Sequence, residues 1–458
     1  MLKIGGFFMF NSKTIKDVLS LALPAVGEMI LYMMIWVFDT MMVGKYGGSV
    51  AVSTVGLSSE ILYTCVNVFI SVGISVGIAS LVARSIGAKR INSAEEFATL
   101  GLICGFFVAL IIFANLFIFC GDILKIAGAN DKVIYYGVIF IKIASVGIFF
   151  NMLMNILNGI LRGYGNTKIP LLVSVFVNII NLSLDWLLIF GHYGFPELGI
   201  KGSAIATATA QVLGFIFISL YVYKKSEVKP RVKYIKNFNI NKLKMLLKLS
   251  IPSSMQQGAC DIARLLGAFM IMHLGTVAFA SNQITTTIES ISFMPGWGFA
   301  IAATTLVGIK VGENNIAKAK EYAYTCTLLG TILMTFCSIL FLVCPNLLIN
   351  LFINKSENQV IYLGSLCLMI ASIEQPFMAI SMILGGALKG SGDTKTPFIV
   401  SLISSWVIRI PLIIYFIYLL RFPVTYVWWI TAVQWCFEGV TLLLLFNRRL
   451  KKYSHQKY

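Results

Sequence analysis

Asp39 and Asp185 are carboxylates set inside long apolar runs, and each keeps polar company at helical spacing. Ser174, Asn178, Asn181 and Asp185 recur every three or four residues, which puts them on one face of a helix. Glu28, Tyr32, Ile35 and Asp39 share a second face, Asn151, Asn155 and Asn158 a third, and Ser203, Thr207 and Gln211 a fourth. Two carboxylates with amide and hydroxyl oxygens suit Na⁺, or one proton shared between acids that repel each other. A carboxylate at membrane depth costs at least about 2.5–3.5 kcal/mol on insertion scales, so it should face a bundle interior, a partner or a water-filled cavity. Interhelical packing is the competing reading for Asn155 and Asn178.

A second set of polar residues lies downstream: Gln257, Asp261 and Arg264, then Glu289, Glu374, Arg409 and Glu438. Asp261 and Arg264 are three apart and can neutralise each other on one helix. Glu289 and Glu374 have no basic residue within a helical turn, so they suit attraction of a cationic substrate, with pairing to Arg409 as the alternative. Enzyme chemistry is a poor fit. The only histidines are His192, His273 and His455, no zinc motif such as His-x-x-x-His occurs, and no Walker A loop is present. The nine cysteines are scattered without a Cys-x-x-Cys pair, which indicates neither a metal centre nor a disulfide framework.

The elements that must position these residues are membrane spans. The 458 residues are 58% hydrophobic and only 12% charged, where soluble domains are about 25% charged. Apolar runs near the roughly 20 residues needed to cross a bilayer recur throughout, at about 17–43, 51–82, 97–119, 133–161, 170–190, 202–223, 246–273, 276–309, 322–343, 358–388, 397–420 and 423–446. An all-α integral membrane protein of twelve transmembrane helices follows. Met1 to Lys16 lacks a short apolar core and cleavage site and is read as retained. Of the 36 Lys and Arg, 27 fall on the side of the N-terminus, six on the other and three within spans. The positive-inside rule places both termini in the cytoplasm, in a multi-pass protein of the cell membrane. The net charge of +17 thus reads as orientation signal and anionic-lipid contact, and no nucleic-acid partner is expected.

The chain also resembles itself. Gly159-Ile-Leu-Arg-Gly-Tyr-Gly-Asn-Thr-Lys-Ile-Pro170 returns as Gly386-Ala-Leu-Lys-Gly-Ser-Gly-Asp-Thr-Lys-Thr-Pro397, and Leu81–Gly87 as Leu306–Gly312. A six-helix lobe over 1–223, a basic cytoplasmic linker over 224–245 and a second lobe with a short tail over 246–458 account for the repeat. Six spans per repeat give both halves one orientation, related by a pseudo-twofold axis along the membrane normal, which is a transporter architecture. Glycines of the repeated turns supply positive φ, and Asn or Asp with Thr caps the next helix. The halves differ where chemistry is expected. Asn181 and Asp185 correspond to Ile408 and Leu412, Asn151, Asn155 and Asn158 to Met378, Met382 and Gly385, and Asp39 to Gly267.

Pro24 through Asp39-Thr-Met-Met-Val-Gly44, the Leu-Val-Ala-Arg-Ser-Ile-Gly-Ala loop, Leu161-Arg-Gly-Tyr-Gly-Asn-Thr167, Ala280-Ser-Asn-Gln-Ile284 and Gly390-Ser-Gly-Asp-Thr-Lys-Thr-Pro397 together resemble the multidrug and toxic compound extrusion (MATE) transporters, prokaryotic branch. The resemblance implies two six-helix lobes forming a V-shaped cavity, and export of amphipathic, often cationic small molecules in exchange for H⁺ or Na⁺ by alternating access. Asp39, Asn181, Asp185 and Thr207 match the family's coupling-cation pattern and would hold the H⁺ or Na⁺. Pro24 stands at the hinge position of the first span. Tyr32, Asn151, Asn155, Asn158, Asn178, Gln257, Asp261, Glu289 and Glu374 are the residues expected to line the substrate cavity. No cofactor beyond the coupling ion is expected, the partners are small molecules and membrane lipids, and the chain is expected to act as a monomer. A lipid-linked saccharide flippase shares the duplicated architecture but would need a strongly cationic cavity, and only Arg264 and Arg409 lie deep here.

Overall fold

The computed structural model describes residues 11–126, 131–236, 239–353 and 357–453, and among them every regular element is a helix. The chain ends expected in the cytoplasm, 1–10 and 454–458, lie outside the described residues. Helix α1, Ser12–Val66, continues through a π-helical turn, Asn67–Ile74, into α2, Ser75–Gly87. Then come α3 (Ile91–Ile126), α4 (Asp131–Gly163), α5 (Lys168–Phe190), α6 (Ile200–Lys225) and the short α7 (Lys233–Lys236). The second half holds α8 (Ile240–Met272), α9 (Thr276–Gly312), α10 (Ile316–Val343), the short α11 (Pro345–Asn350), α12 (Asn358–Ser391), α13 (Lys395–Leu402), α14 (Ile410–Ile413) and α15 (Thr425–Tyr453). Two further π-helical turns, Ile403–Arg409 and Ile414–Leu419, flank α14.

Among the described residues, eleven helical stretches are long and apolar enough to cross a membrane. The remaining expected span falls in α8, which has the length at 33 residues but carries Lys242, Lys244, Lys248, Gln256, Gln257, Asp261 and Arg264. Helix surfaces show which solvent they meet. Phe107, Ile111 and Ile118 on α3 are 58%, 61% and 67% exposed, an arrangement that lipid solvates and water penalises by about 25 cal/mol for every Å². Helices also satisfy their backbone groups internally, as the hydrocarbon requires.

The helical run from Ser12 to Gly87 holds two separate apolar stretches, Ser12–Ile35 and Thr54–Gly87. The Tyr32 ring on the first lies 5.8 Å from the Tyr63 ring on the second, where a straight helix would hold them about 46 Å apart, so the chain folds back between the two spans.

The backbone gathers into two compact units. One comprises Gly27–Ile86 with Arg90–Ser254; the other comprises the described residues of Met1–Val26, Gly87–Lys89 and Met255–Tyr458. The first fifteen residues of α1 thus pack with the second half of the chain. Thr14 Oγ1 donates to Glu321, Tyr322 donates to Asp17 at 2.6 Å, and Val18, Ala22 and Val26 join a core with Phe299, Met334 and Ile383. The Gly27–Ser254 unit has its own cores, one around Ile78, Met152 and Ile156 and another around Leu124, Ile141 and Ile189.

The internal repeat reappears as packing. A Cβ on Gly159 would lie 2.8 Å from the Ser75 carbonyl and one on Gly163 2.7 Å from that of Ala79, so α4 meets α2 backbone to backbone. Gly386 stands likewise 2.6 Å from the Ala300 carbonyl, and Gly390 abuts Thr304, where α12 meets α9. The repeated turns match too. Gly165 and Gly392 have φ of 91° and 98°, and the Asn166 and Asp393 side chains accept from Ile169 N (3.2 Å) and Thr396 N (3.0 Å). The expected cap is therefore made by Asn or Asp, with no cap bond from the side chains of Thr167 and Thr394.

Candidate functional site

Within the Gly27–Ser254 unit, α1, α5 and α6 bring Asp39, Asn181, Asp185 and Thr207 together. Thr207 Oγ1 donates to Asp39 Oδ2 at 3.3 Å, and Asn181 Nδ2 donates to Thr207 Oγ1 at 3.4 Å. The Asp39 and Asp185 carboxyls face each other within hydrogen-bonding reach. Both are buried, at 6% and 0% exposed. Asp39 Oδ1 and both Asp185 oxygens have no donor among the described residues. Two carboxylates in contact repel when both are charged, and burial strengthens that repulsion. One proton or one small cation between them removes it, and the Thr207 and Asn181 oxygens complete a hard-cation donor set.

The three asparagines of α4 occupy one buried face and turn toward their own unit. Asn151 Nδ2 donates to Gln211 Oε1 at 2.7 Å, and Asn155 Nδ2 to Asn151 Oδ1 at 3.0 Å. Asn158 reaches Glu28 at 3.4 Å, beside a buried ion pair of Glu28 with Arg162 at 2.5 Å. Asn178 bonds back to the Ser174 carbonyl of its own helix at 2.7 Å, and the Tyr32 ring stands 5.8 Å from that of Tyr63. Pro24 lies within α1.

The Met255–Tyr458 residues hold a second pair of acids. Glu289 on α9 and Glu374 on α12 lie within hydrogen-bonding reach, and Gln375 Nε2 donates to Glu289 at 3.4 Å. Glu374 is fully buried with no donor to either oxygen among the described residues. Arg409, at the end of the π-helical turn Ile403–Arg409, is close enough to act electrostatically on both. Gln257, Asp261 and Arg264 form a separate group on α8. Gln257 donates to Asp261 at 3.2 Å, and Arg264 pairs with Asp261 at 3.3 Å.

Sequence spacing did not reveal three features. The Glu28–Arg162 pair joins residues far apart in the chain, although Arg162 ends the polar face of α4 one turn beyond Asn158. Gln375 follows Glu374 but points to Glu289. Glu438 accepts from Ser381, Ser401 and Ser404 at 2.9, 3.0 and 2.7 Å; the serines at 401 and 404 on one expected span were the available signal. Among the described residues no three His, Cys, Asp or Glu side chains cluster as a metal site.

Comparison with known proteins follows the same outline. The MatE family model matches residues 24–187 and 252–415, one stretch in each half. The "Probable multidrug resistance protein NorM" of Thermotoga maritima is 32% identical over 415 residues, covering 86% of this chain and 84% of that protein. The "Uncharacterized transporter YisQ" of Bacillus subtilis is 27% identical, covering 89% of each. The second name is that of a transporter, and neither is that of an enzyme. Two solved structures share the fold. A MOP superfamily transporter from Pyrococcus furiosus superposes with a TM-score of 0.88 at 20% identity over 97% of each chain. The Vibrio cholerae MATE transporter VcmN gives 0.89 at 17% identity over 97% of this chain and 99% of that one. The repeated lobes, the paired acids and a family model matched in both halves lead to one assignment: this multi-span membrane protein belongs to the MatE family.

Proposed function

We propose that the chain is a secondary exporter of lipophilic, mostly cationic small molecules, driven by H⁺ or Na⁺ entering through the Asp39–Asp185 pair. The observation that carries this reading is the contact of two buried carboxyls beside Thr207 and Asn181, a geometry that favours a cation between them. The naming of relatives as multidrug resistance proteins supports the substrate class. A monovalent ion moving inward across 100 mV gains about 2.3 kcal/mol, enough to bias a two-state cycle.

Ion binding at the pair would act through α1, which carries Asp39. Pro24 removes the backbone bond to the Ser20 carbonyl and so weakens the helix just before Val26, where the grouping of α1 changes from one compact unit to the other. The helix can bend there as the pair fills and empties. Glu289 and Glu374 receive the substrate cation in the other unit, so ion and drug are coupled through conformation and not through shared ligands. The cell membrane is the site of action, with both termini cytoplasmic and a single chain as the working unit.

Proteoliposomes loaded with a lipophilic cation test the proposal. Export should start when an inward H⁺ or Na⁺ gradient is imposed and collapse when that gradient is dissipated. Equal export without either gradient would refute coupling, and movement of a lipid-linked saccharide instead would favour a flippase.

A further inference from the structure

The connection between α6 and α8 is a built surface with two faces. Its inward face is bound to the first turns of α3. Arg231 Nε donates to Glu95 at 2.7 Å and its backbone N to Thr99 Oγ1 at 2.9 Å. Tyr234 OH donates to Glu95 at 3.4 Å, and Lys242 Nζ reaches Glu96 at 2.6 Å and Ser93 at 3.2 Å. Val228 and Ser226 are buried beneath it. These bonds engage both acids at the start of α3, Glu95 and Glu96. Glu227, the only acid within 224–248, is bonded by the Tyr164 hydroxyl, whose phenol is pushed up to about 12 by burial and by that carboxylate and so remains a donor.

Among the described residues, the outward face carries lysines, the exposed Glu227 and exposed apolar side chains. Val232 is 68% and Ile235 51% exposed. Between and beside them stand the exposed Lys233, whose Nζ lies 4.6 Å over the Tyr234 ring, and Lys236, with Lys224, Lys225 and Lys244 exposed on the flanking helix ends. The place is a membrane boundary: α6 ends there and α3 begins there, and both qualify as spans. Water alone would leave the aliphatic groups poorly solvated among the lysines. A headgroup layer satisfies both, with aliphatic groups at the acyl boundary and ammonium groups at phosphates.

We propose that Val232, Lys233, Ile235 and Lys236 form a docking surface for anionic phospholipid headgroups, held rigid by the Arg231–Glu95 and Lys242–Glu96 pairs. The surface reads charge and depth together, the lysines binding phosphate while Val232 and Ile235 set the segment against the bilayer. Anionic lipid thereby gains a grip on the connection between the two halves of the chain.

The full-length chain carrying Ile235→Trp, in nanodiscs of phosphatidylcholine and phosphatidylglycerol with one of the two lipids brominated at a time, provides the test. Relative to the parent chain, brominated phosphatidylglycerol should quench the added tryptophan several-fold more than brominated phosphatidylcholine at equal mole fraction. Lysines near a membrane surface are worth roughly fivefold each, so Lys233→Gln with Lys236→Gln should abolish the several-fold preference and leave the two lipids quenching about equally. Salt near 1 M, where the screening length is about 3 Å, should do the same. Equal quenching by both lipids would overturn the charge reading, and no quenching by either would overturn docking altogether.

Discussion

Arg162 Nη2 lies 2.5 Å from Glu28 Oε1, with both side chains almost wholly withdrawn from solvent. The pair ties α1, just beyond Pro24, to the end of α4. Breaking a buried pair from one side leaves an uncompensated charge and costs about 3–5 kcal/mol, whereas replacing both partners by apolar groups is far milder. Arg162→Met should therefore lower the apparent melting temperature in detergent sharply, and Glu28→Leu with Arg162→Met should recover most of the loss. A double variant no more stable than the single one would show that Arg162 is needed for other contacts.

In the proposed cycle Asp39 and Asp185 share one cation, and neutralising either removes the demand for it. Asp39→Asn should abolish gradient-driven export while the protein remains folded and still binds drug in detergent. Asp185→Asn should behave likewise. Export by the Asp39 variant at the parental rate would exclude Asp39 as the coupling carboxylate.

In the proposed cycle Glu289 and Glu374 serve a different step. Glu289→Gln or Glu374→Gln should reduce export of a lipophilic cation roughly tenfold, the worth of about 1.4 kcal/mol, and spare a neutral compound of the same size. Initial rates in loaded proteoliposomes measure this directly. Equal losses for both compounds would assign the acids to folding or coupling instead of recognition.

The glycine contacts predict stability without reference to transport. Gly163→Ala and Gly386→Ala each drive a methyl into a backbone carbonyl of the neighbouring helix and should cost about 1–3 kcal/mol. Gly56→Ala meets nothing within 4 Å and should be neutral or slightly stabilising, since alanine is the better helix former. Thermal unfolding of the three variants side by side checks the contrast.

Much of this was legible because the information was local or repeated. Helical spacing alone put Asn181 and Asp185 on one face, and the duplicated Gly-Asn/Asp-Thr motifs announced turns that fold the same way twice. Asp39 and Thr207 joined that site by resemblance to a family, since no spacing rule connects residues 168 positions apart. The amides of α4 were harder. Helical spacing put Asn151 and Asn158 on one face, but their partners Gln211 and Glu28 lie on other helices, which no spacing within α4 reveals.

The π-helical turn Ile403–Arg409 has a consequence for the ancestry of the two halves. Its counterpart, Phe176–Leu182, is ordinary α-helix within α5. A widened turn sets the residues after it back by about 100°, the angle of one α-helical residue. Leu412 answers to Asp185 in the alignment but no longer looks the same way, and restoring an aspartate there would not recreate the acid pair. The two halves therefore differ here in local rotation as well as in residue type, so a point mutation alone cannot make one copy match the other.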